Sequence, residues 1–312
     1  MTRVSFITLL WTMLFAIGSS LAQAQFGAAA VSYDPGATPA TGFTTASAAI
    51  GQPERFTGEG AFPGVVSPFN PPFGQNEIVS VGEGGHIVLR LSHFAIPQAA
   101  GPEIGVFENV GLVDVNYPNG QAGSPAGTFG PLDSAIVDVS TDGTQWASLG
   151  NVTFDAPTNG YTDLTDPYWS KPGGVPSDFQ KPFLGSLSSF DGLRYSDSGG
   201  PDILEALAGS GGGTWLDISA AGLSQVGFIR FSLDNDLDAE TRLNFELDAV
   251  SIADGAVGSP VVPEPTTIAY CSLSLIGFSL SCRRRLPGRA PAEFRRPRAT
   301  KTAAVHELNS RR

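Results

Sequence analysis

The chain has 312 residues, 30 of them acidic and 18 basic, for a formal net charge of −12 at pH 7. The acids are concentrated: residues 25–258 carry 27 of them against seven bases, so this body sits near −20 while both ends are basic. Such a body excludes nucleic acid as a partner, because a phosphate backbone needs a basic face, and favours cations, neutral glycans or plain colloidal repulsion.

Residues 1–24 read as a secretory signal peptide. Arg3 is the positive start, residues 4–17 are a short apolar core, and Ala22-Gln23-Ala24 is a small-x-small cleavage site, so the mature protein begins at Gln25. The only cysteines are Cys271 and Cys282, so the body has no disulfide and no thiolate metal site although it is exported. Core packing, with or without bound cations, must hold it together.

Thirty-eight glycines and 24 prolines punctuate short runs rich in valine, isoleucine, phenylalanine and threonine, which is a β pattern. Residues 45–50 make a short helical turn before Gly51. Residues 77–81 and 87–94 read as strands, and Gly82-Glu83-Gly84-Gly85 between them reads as a hairpin turn. In the second run Ile87, Leu89 and Leu91 share one face, and Val88, Arg90 and Ser92 the other. A short strand follows at 104–107, then 134–140, turned by Asp142-Gly143 towards 145–149. Between 156 and 189 lies a long excursion rich in proline and aspartate, a length that loops in compact domains often use for function. Residues 201–208 predict a helix, with Pro201 first, Asp202 early and Gly209 as the stop. Strands at 215–218, 226–233 and 243–252 complete the set. Many short strands with turns between them predict a β-sandwich spanning residues 25–258.

Three stretches narrow that expectation. The run from Ile136 through Asp142-Gly143 to Trp146 resembles a hairpin of the discoidin-like, or galactose-binding-like, jelly rolls. Gly211-Gly212-Gly213-Thr214-Trp215-Leu216-Asp217-Ile218 and Phe245-Glu246-Leu247-Asp248-Ala249-Val250 look like later strands of surface proteins that carry the same C-terminal sorting tail as this chain's residues 259–285. The resemblance implies an all-β, jelly-roll-like sandwich, often with a structural calcium ion, but assigns no ligand residue.

The clearest metal-ligand pattern is Asp234-Asn235-Asp236-Leu237-Asp238-Ala239-Glu240. Alternate carboxylates at Asp234, Asp236, Asp238 and Glu240 bring oxygen ligands towards Ca²⁺, a hard cation that takes six to eight of them. The spacing is not that of an EF-hand, and the alternative is an acidic, solvated hairpin loop. Tyr168-Trp169, near Asp163 and Asp166, combines aromatic rings with acids as a sugar site does, the ring against C–H groups and the acids accepting hydroxyl protons; otherwise Trp169 pins the excursion to the sandwich. Trp146 and Trp215 lie in strands and read as core. Glu108, Asn109 and Asp114 ligate a cation or sugar, or serve as turn chemistry. His86 and His93, seven apart in one strand, point to opposite faces, and no nucleophile elbow or zinc-protease motif is present. A pair of acids acting on a glycoside stays open, because sequence spacing does not reveal separation in space.

The end of the chain carries the most specific signal. Pro263-Glu264-Pro265 should stay extended and accessible. The mostly apolar run 266–282 is just long enough to cross a hydrocarbon core. Arg283, Arg284 and Arg285 then stop transfer on the cytoplasmic side. This tripartite ending, residues 259–285, resembles the PEP-CTERM sorting signal of exported bacterial proteins. In that family the chain usually ends just after the arginines, whereas here a basic tail continues over 286–312. The resemblance implies handling by the secretion machinery, membrane tethering, and cleavage near the Pro-Glu-Pro motif by an exosortase. The alternative is an ordinary membrane anchor. The expectation is thus an exported, surface-sorted protein with a non-catalytic binding or structural role in an extracellular polysaccharide matrix. Its rivals are a glycan hydrolase or lyase using two acids, and a purely structural coat protein.

Overall fold

Ten strands form among the described residues, which in this computed structural model are 25–60, 64–196, 201–234 and 244–262. They are β1 (Gly27–Asp34), β2 (Val79–Val81), β3 (His86–Ala95), β4 (Ile104–Glu108), β5 (Ser134–Ser140), β6 (Ala147–Thr153), β7 (Thr214–Leu216), β8 (Val226–Ser232), β9 (Phe245–Ile252) and β10 (Val257–Pro260). All pair antiparallel, in two sheets. One has the order β1-β3-β8-β5-β6, with β10 pairing the last part of β3; the other has the order β2-β9-β4-β7.

The two sheets pack as a sandwich. Ile87, Leu89 and Leu91 of β3, Val137 and Val139 of β5, and Ile229 and Phe231 of β8 point inward from the larger sheet. Val79, Val81, Ile104, Val106 and Phe245 meet them from the smaller one. The period-2 pattern puts them there, since alternate side chains leave opposite faces of a strand. On β9 the pattern slips between Leu247 and Ala249, where the register against β4 shifts. The extra residue lets Leu247 and Val250 both enter the core, and it leaves Glu246 and Asp248 on the outer side.

The outer face of the smaller sheet is covered as well, by a layer of loops with a core of its own. Phe69, Leu112, Phe183, Phe190, Tyr195 and Ile203 form its centre. Phe107 on β4 packs edge-to-face against Phe179 of the long excursion at 5.3 Å and against Trp215 at 6.3 Å. The helix α1 (Ile203–Leu207) contributes Ile203 and Leu207 to this layer. Asp202 caps it by accepting the Glu205 N–H at 2.6 Å, so Pro201 stands one step before the cap, not in the first turn. Residues 45–50 yield a 3₁₀ turn, Ala46–Ala49.

Two expectations need correction. Gly82-Glu83-Gly84-Gly85 is no hairpin: β2 belongs to the smaller sheet and β3 to the larger, so the turn crosses between layers. It is pressed against residues 34–39, where a Cβ on Gly82 would stand 2.7 Å from Pro39 N and one on Gly85 would stand 2.7 Å from Asp34 O. Trp146 precedes β6, half-buried, and lies over Arg230. Trp215 does lie in β7 and packs, part-buried, against the core, and its indole N–H donates to Gly212 O at 2.9 Å. The predicted hairpin over Asp142-Gly143 does form, with Ser134 opposite Thr153 and Val139 opposite Ala147. Asp142 accepts the N–H groups of Thr144 and Gln145, and these bonds hold its carboxyl down to about 2.

Residues 1–24, Pro263, Glu264, Pro265, the run 266–282, Arg283, Arg284, Arg285 and the tail lie outside the described residues. Among the described residues no helix is long and apolar enough to cross a membrane.

Candidate functional site

Most large apolar side chains of a folded body are covered, so a group of exposed aromatics around one depression is the first place to look for a site. Tyr117 is 75% exposed and Phe129 65%, and Phe73 is also exposed. They stand around one depression of about 560 Å³ at the outer side of the loop layer, together with Asn70, Asn109, Asp114 and Tyr168.

The local chain explains why these rings stay out. The segments around Leu112 and Ala122 run antiparallel through two bridges, Leu112 with Thr128 and Asp114 with Ala122. Val115 N donates to Gln121 O at 2.8 Å, which closes a turn with Tyr117 at its tip. Asp114 knits that turn by accepting from the N–H groups of Asn116, Gly120 and Gln121 at 2.9–3.0 Å. Gly120 makes it possible: its φ is +71°, and a Cβ there would stand 2.7 Å from Pro167 and 2.9 Å from Tyr195. Tyr168 reaches in from the long excursion. Its hydroxyl donates to Asp114 Oδ2 at 3.1 Å, and its ring meets Tyr117 edge-on at 5.2 Å. Burial, followed by the Asp114 charge, pushes the Tyr168 hydroxyl pKa well up, so it stays a donor.

The depression shares Pro71, Asn109 and Phe129 with a second one of about 330 Å³, whose wall includes Asp133 and Glu246. Glu246 Oε2 accepts from Asn109 Nδ2 at 2.8 Å, and Asp133 Oδ2 accepts the Glu246 N–H at 3.2 Å. Burial, then the Glu246 charge, raises Asp133 to about 7, and the backbone N–H opposes this only in part. Glu108, at the end of β4, is 2% exposed, and neither of its carboxyl oxygens has a hydrogen-bond partner. Burial pushes its pKa well above the carboxylate range. The carboxylates of Asp133, Glu246 and Asp155 push it further the same way. Asp248, also on β9, accepts the Glu54 N–H with both oxygens and is likewise raised, chiefly by burial. The site is therefore an aromatic rim beside a crowded acidic wall.

No protein-family model and no curated protein matches this chain.

The residues singled out from sequence divide in two. Tyr168 lies on the rim. Asp166 accepts the Tyr168 N–H at 2.9 Å, and Asp163 accepts the Gly174 N–H at 2.7 Å, so both carboxylates serve turns of the excursion. Trp169 is 44% exposed, but its ring is not part of the depression; its carbonyl accepts the Val65 N–H at 2.8 Å. Asn109 lines both depressions, Glu108 is buried behind the acidic wall, and Asp114 does turn chemistry at the rim. His86 approaches Ser32 Oγ at 2.8 Å, and His93 approaches Ser92 Oγ at 3.1 Å, both away from the depression. Asp234 is exposed just after β8, while Asp236, Asp238 and Glu240 lie outside the described residues. Among the described residues no group of three or more His, Cys, Asp or Glu side chains is placed to hold a metal ion.

Sequence reasoning passed over Tyr117, Phe129, Asp133 and Glu246. The first two carried a usable signal. Each is an aromatic residue inside a turn-forming string, Asn116-Tyr117-Pro118-Asn119-Gly120 and Thr128-Phe129-Gly130-Pro131, where a buried ring is unexpected.

Proposed function

We propose that the body is a glycan-binding domain that works without turnover in an extracellular polysaccharide matrix. The observation that carries this is the exposed rim of Tyr117, Phe129, Phe73 and Tyr168 around a depression that also holds amide groups. Sugar rings present apolar C–H faces to aromatic rings and hydroxyls to polar neighbours, and an open depression with both suits a chain of sugars. Asn70 and Asn109, both lining the depression, donate an amide N–H to Val65 O and Glu246 Oε2, and each also carries an amide oxygen of the kind that accepts from a sugar hydroxyl. Two unequal antiparallel sheets, and the hairpin sequence of residues 136–146, support reading the sandwich as a galactose-binding-like jelly roll. The test is equilibrium binding of the body to a panel of polysaccharides. Binding that weakens in Tyr117→Ala is expected. Binding to none, or binding indifferent to that change, contradicts the proposal.

The Pro263-Glu264-Pro265 motif, the apolar run and Arg283 to Arg285 support delivery by secretion and exosortase processing to the cell surface. Intact-mass measurement of surface-released protein should show a chain ending near Pro265; a mass that includes residues 266–282 would mean a plain anchor. The acidic run from Asp234 to Glu240 supports a structural Ca²⁺. It should raise the melting temperature over that in chelator, and no shift would remove the ion from the account.

One observation favours an enzyme instead. Asp133, raised to about 7 beside Glu246 in an open depression, is a fitting general acid for a glycoside. Release of new reducing ends, lost in Asp133→Asn, would establish that reading over simple binding.

A further inference from the structure

The rim accounts for the sugar face of a ligand and leaves the acidic wall beside it without a task. The two depressions are one continuous surface, joined through Pro71, Asn109 and Phe129. Behind the wall Glu108 is buried with both oxygens unpartnered, and every charge acting on it is another carboxylate. The wall of the open depression itself carries two carboxylates, Asp133 and Glu246, and no basic side chain stands among its lining residues, so a positive group there would meet acids alone.

We infer that the groove takes glycans bearing a protonated amine, the ammonium lodging at Asp133 and Glu246 while the sugar ring lies on the aromatic rim. This rests on the glycan-binding reading above and names its ligand class. An ammonium suits the site better than a compact divalent ion does. Calcium demands six to eight oxygens at short range, and no three acidic side chains among the described residues converge for it. An ammonium needs only three acceptors at hydrogen-bond distance, and two carboxylates with the Asn109 amide oxygen supply that kind of set. The body's charge near −20 draws such a ligand in. Asp133, raised to about 7 by burial and the Glu246 charge, is readily ionised by a cation at neutral pH.

The test compares binding of a glucosamine oligomer with its N-acetylated counterpart near neutral pH, in chelator and in Ca²⁺. The amine form should bind roughly tenfold tighter, the size of one charge-assisted hydrogen bond. Asp133→Asn and Glu246→Gln should each erode that preference. Both keep a carbonyl oxygen for the existing backbone or amide donor, so their melting temperatures should hold or rise. Tyr117→Ala should weaken both ligands alike. Equal binding of the two oligomers overturns the inference and leaves the glycan reading intact. Binding of neither overturns both. Binding that requires Ca²⁺ overturns the inference by making the metal the missing cation.

Discussion

Asp138 and Glu108 sit on interior strands of opposite sheets, and the surroundings treat them oppositely. Asp138 on β5 lies directly across from Arg230 on β8 in the register. Arg230 gives two hydrogen bonds to Asp138 Oδ2, at 2.8 and 3.1 Å, and its guanidinium lies 4.6 Å from the Trp146 ring centre. A cross-strand pair of this kind holds a sheet together. Glu108 lies opposite Leu247, which offers it nothing polar. Glu103, also buried, is satisfied in a third way, by the N–H groups of Gln98 and Ile218 at 2.6 and 3.0 Å. The body thus supplies partners for buried acids where they serve the fold. Where the loop layer opens beside the smaller sheet, it leaves one without.

The largest test of this contrast is pH. Glu108, Asp133 and Asp248 all have folded-state pKa values above their unfolded ones. The folded state therefore holds more protons, and the stability these groups contribute is full in acid and lost as pH rises through their folded values. Asp133 alone, moving from 3.8 to about 7, accounts for up to about 4 kcal/mol over that window. Denaturant melts across the range should show stability falling from mildly acidic to neutral pH. Glu108→Gln should match the parent in acid and lose less towards alkali.

Next in size is Arg230→Ala. A fully buried pair broken on one side costs about 3–5 kcal/mol; with a third of the Arg230 side chain exposed, about 2 kcal/mol is expected, read from the urea midpoint. Adding Asp138→Ala should recover much of the loss, because the stranded charge is then gone.

Smaller effects separate the two aromatic sites. Tyr117→Ala should lower glycan affinity by about 1–2 kcal/mol, in the range found for rings stacked on aromatic side chains, with little change in melting temperature. Trp169→Ala should change affinity by less than about 0.5 kcal/mol, within the range of a surface substitution. A larger loss at Trp169 would move the site along the excursion.

How far sequence reaches follows from what kind of pattern each part uses. Strands β3, β5, β8 and β9 were legible because valine, isoleucine and phenylalanine alternate in them. Strand β1 was not, since Gly27-Ala28-Ala29-Ala30 has neither β-branching nor alternation, and its pairing with β3 holds it in place. The Gly-rich turn at 82–85 looks the same whether it returns the chain beside itself or carries it to the other sheet; only the partners of β2 and β3 decide. Tyr168 could be picked out because it sits in a long polar excursion. Its neighbours could not be joined to it. Tyr117, the Phe129 to Asp133 stretch and Glu246 come from three separate segments, brought together by the loop layer and by the bulge that turns Glu246 outward.

The most direct test of the account is to locate the bound sugar. Backbone amide and side-chain resonances of the body should be followed by NMR as a glycan oligomer is added. Shifts concentrated at Tyr117, Phe129, Tyr168, Asn109 and Glu246, with Trp146, Trp169 and the β5–β6 hairpin unmoved, are the predicted result. Shifts centred on Trp169 and Asp163, or on the hairpin, with the rim silent, would contradict it.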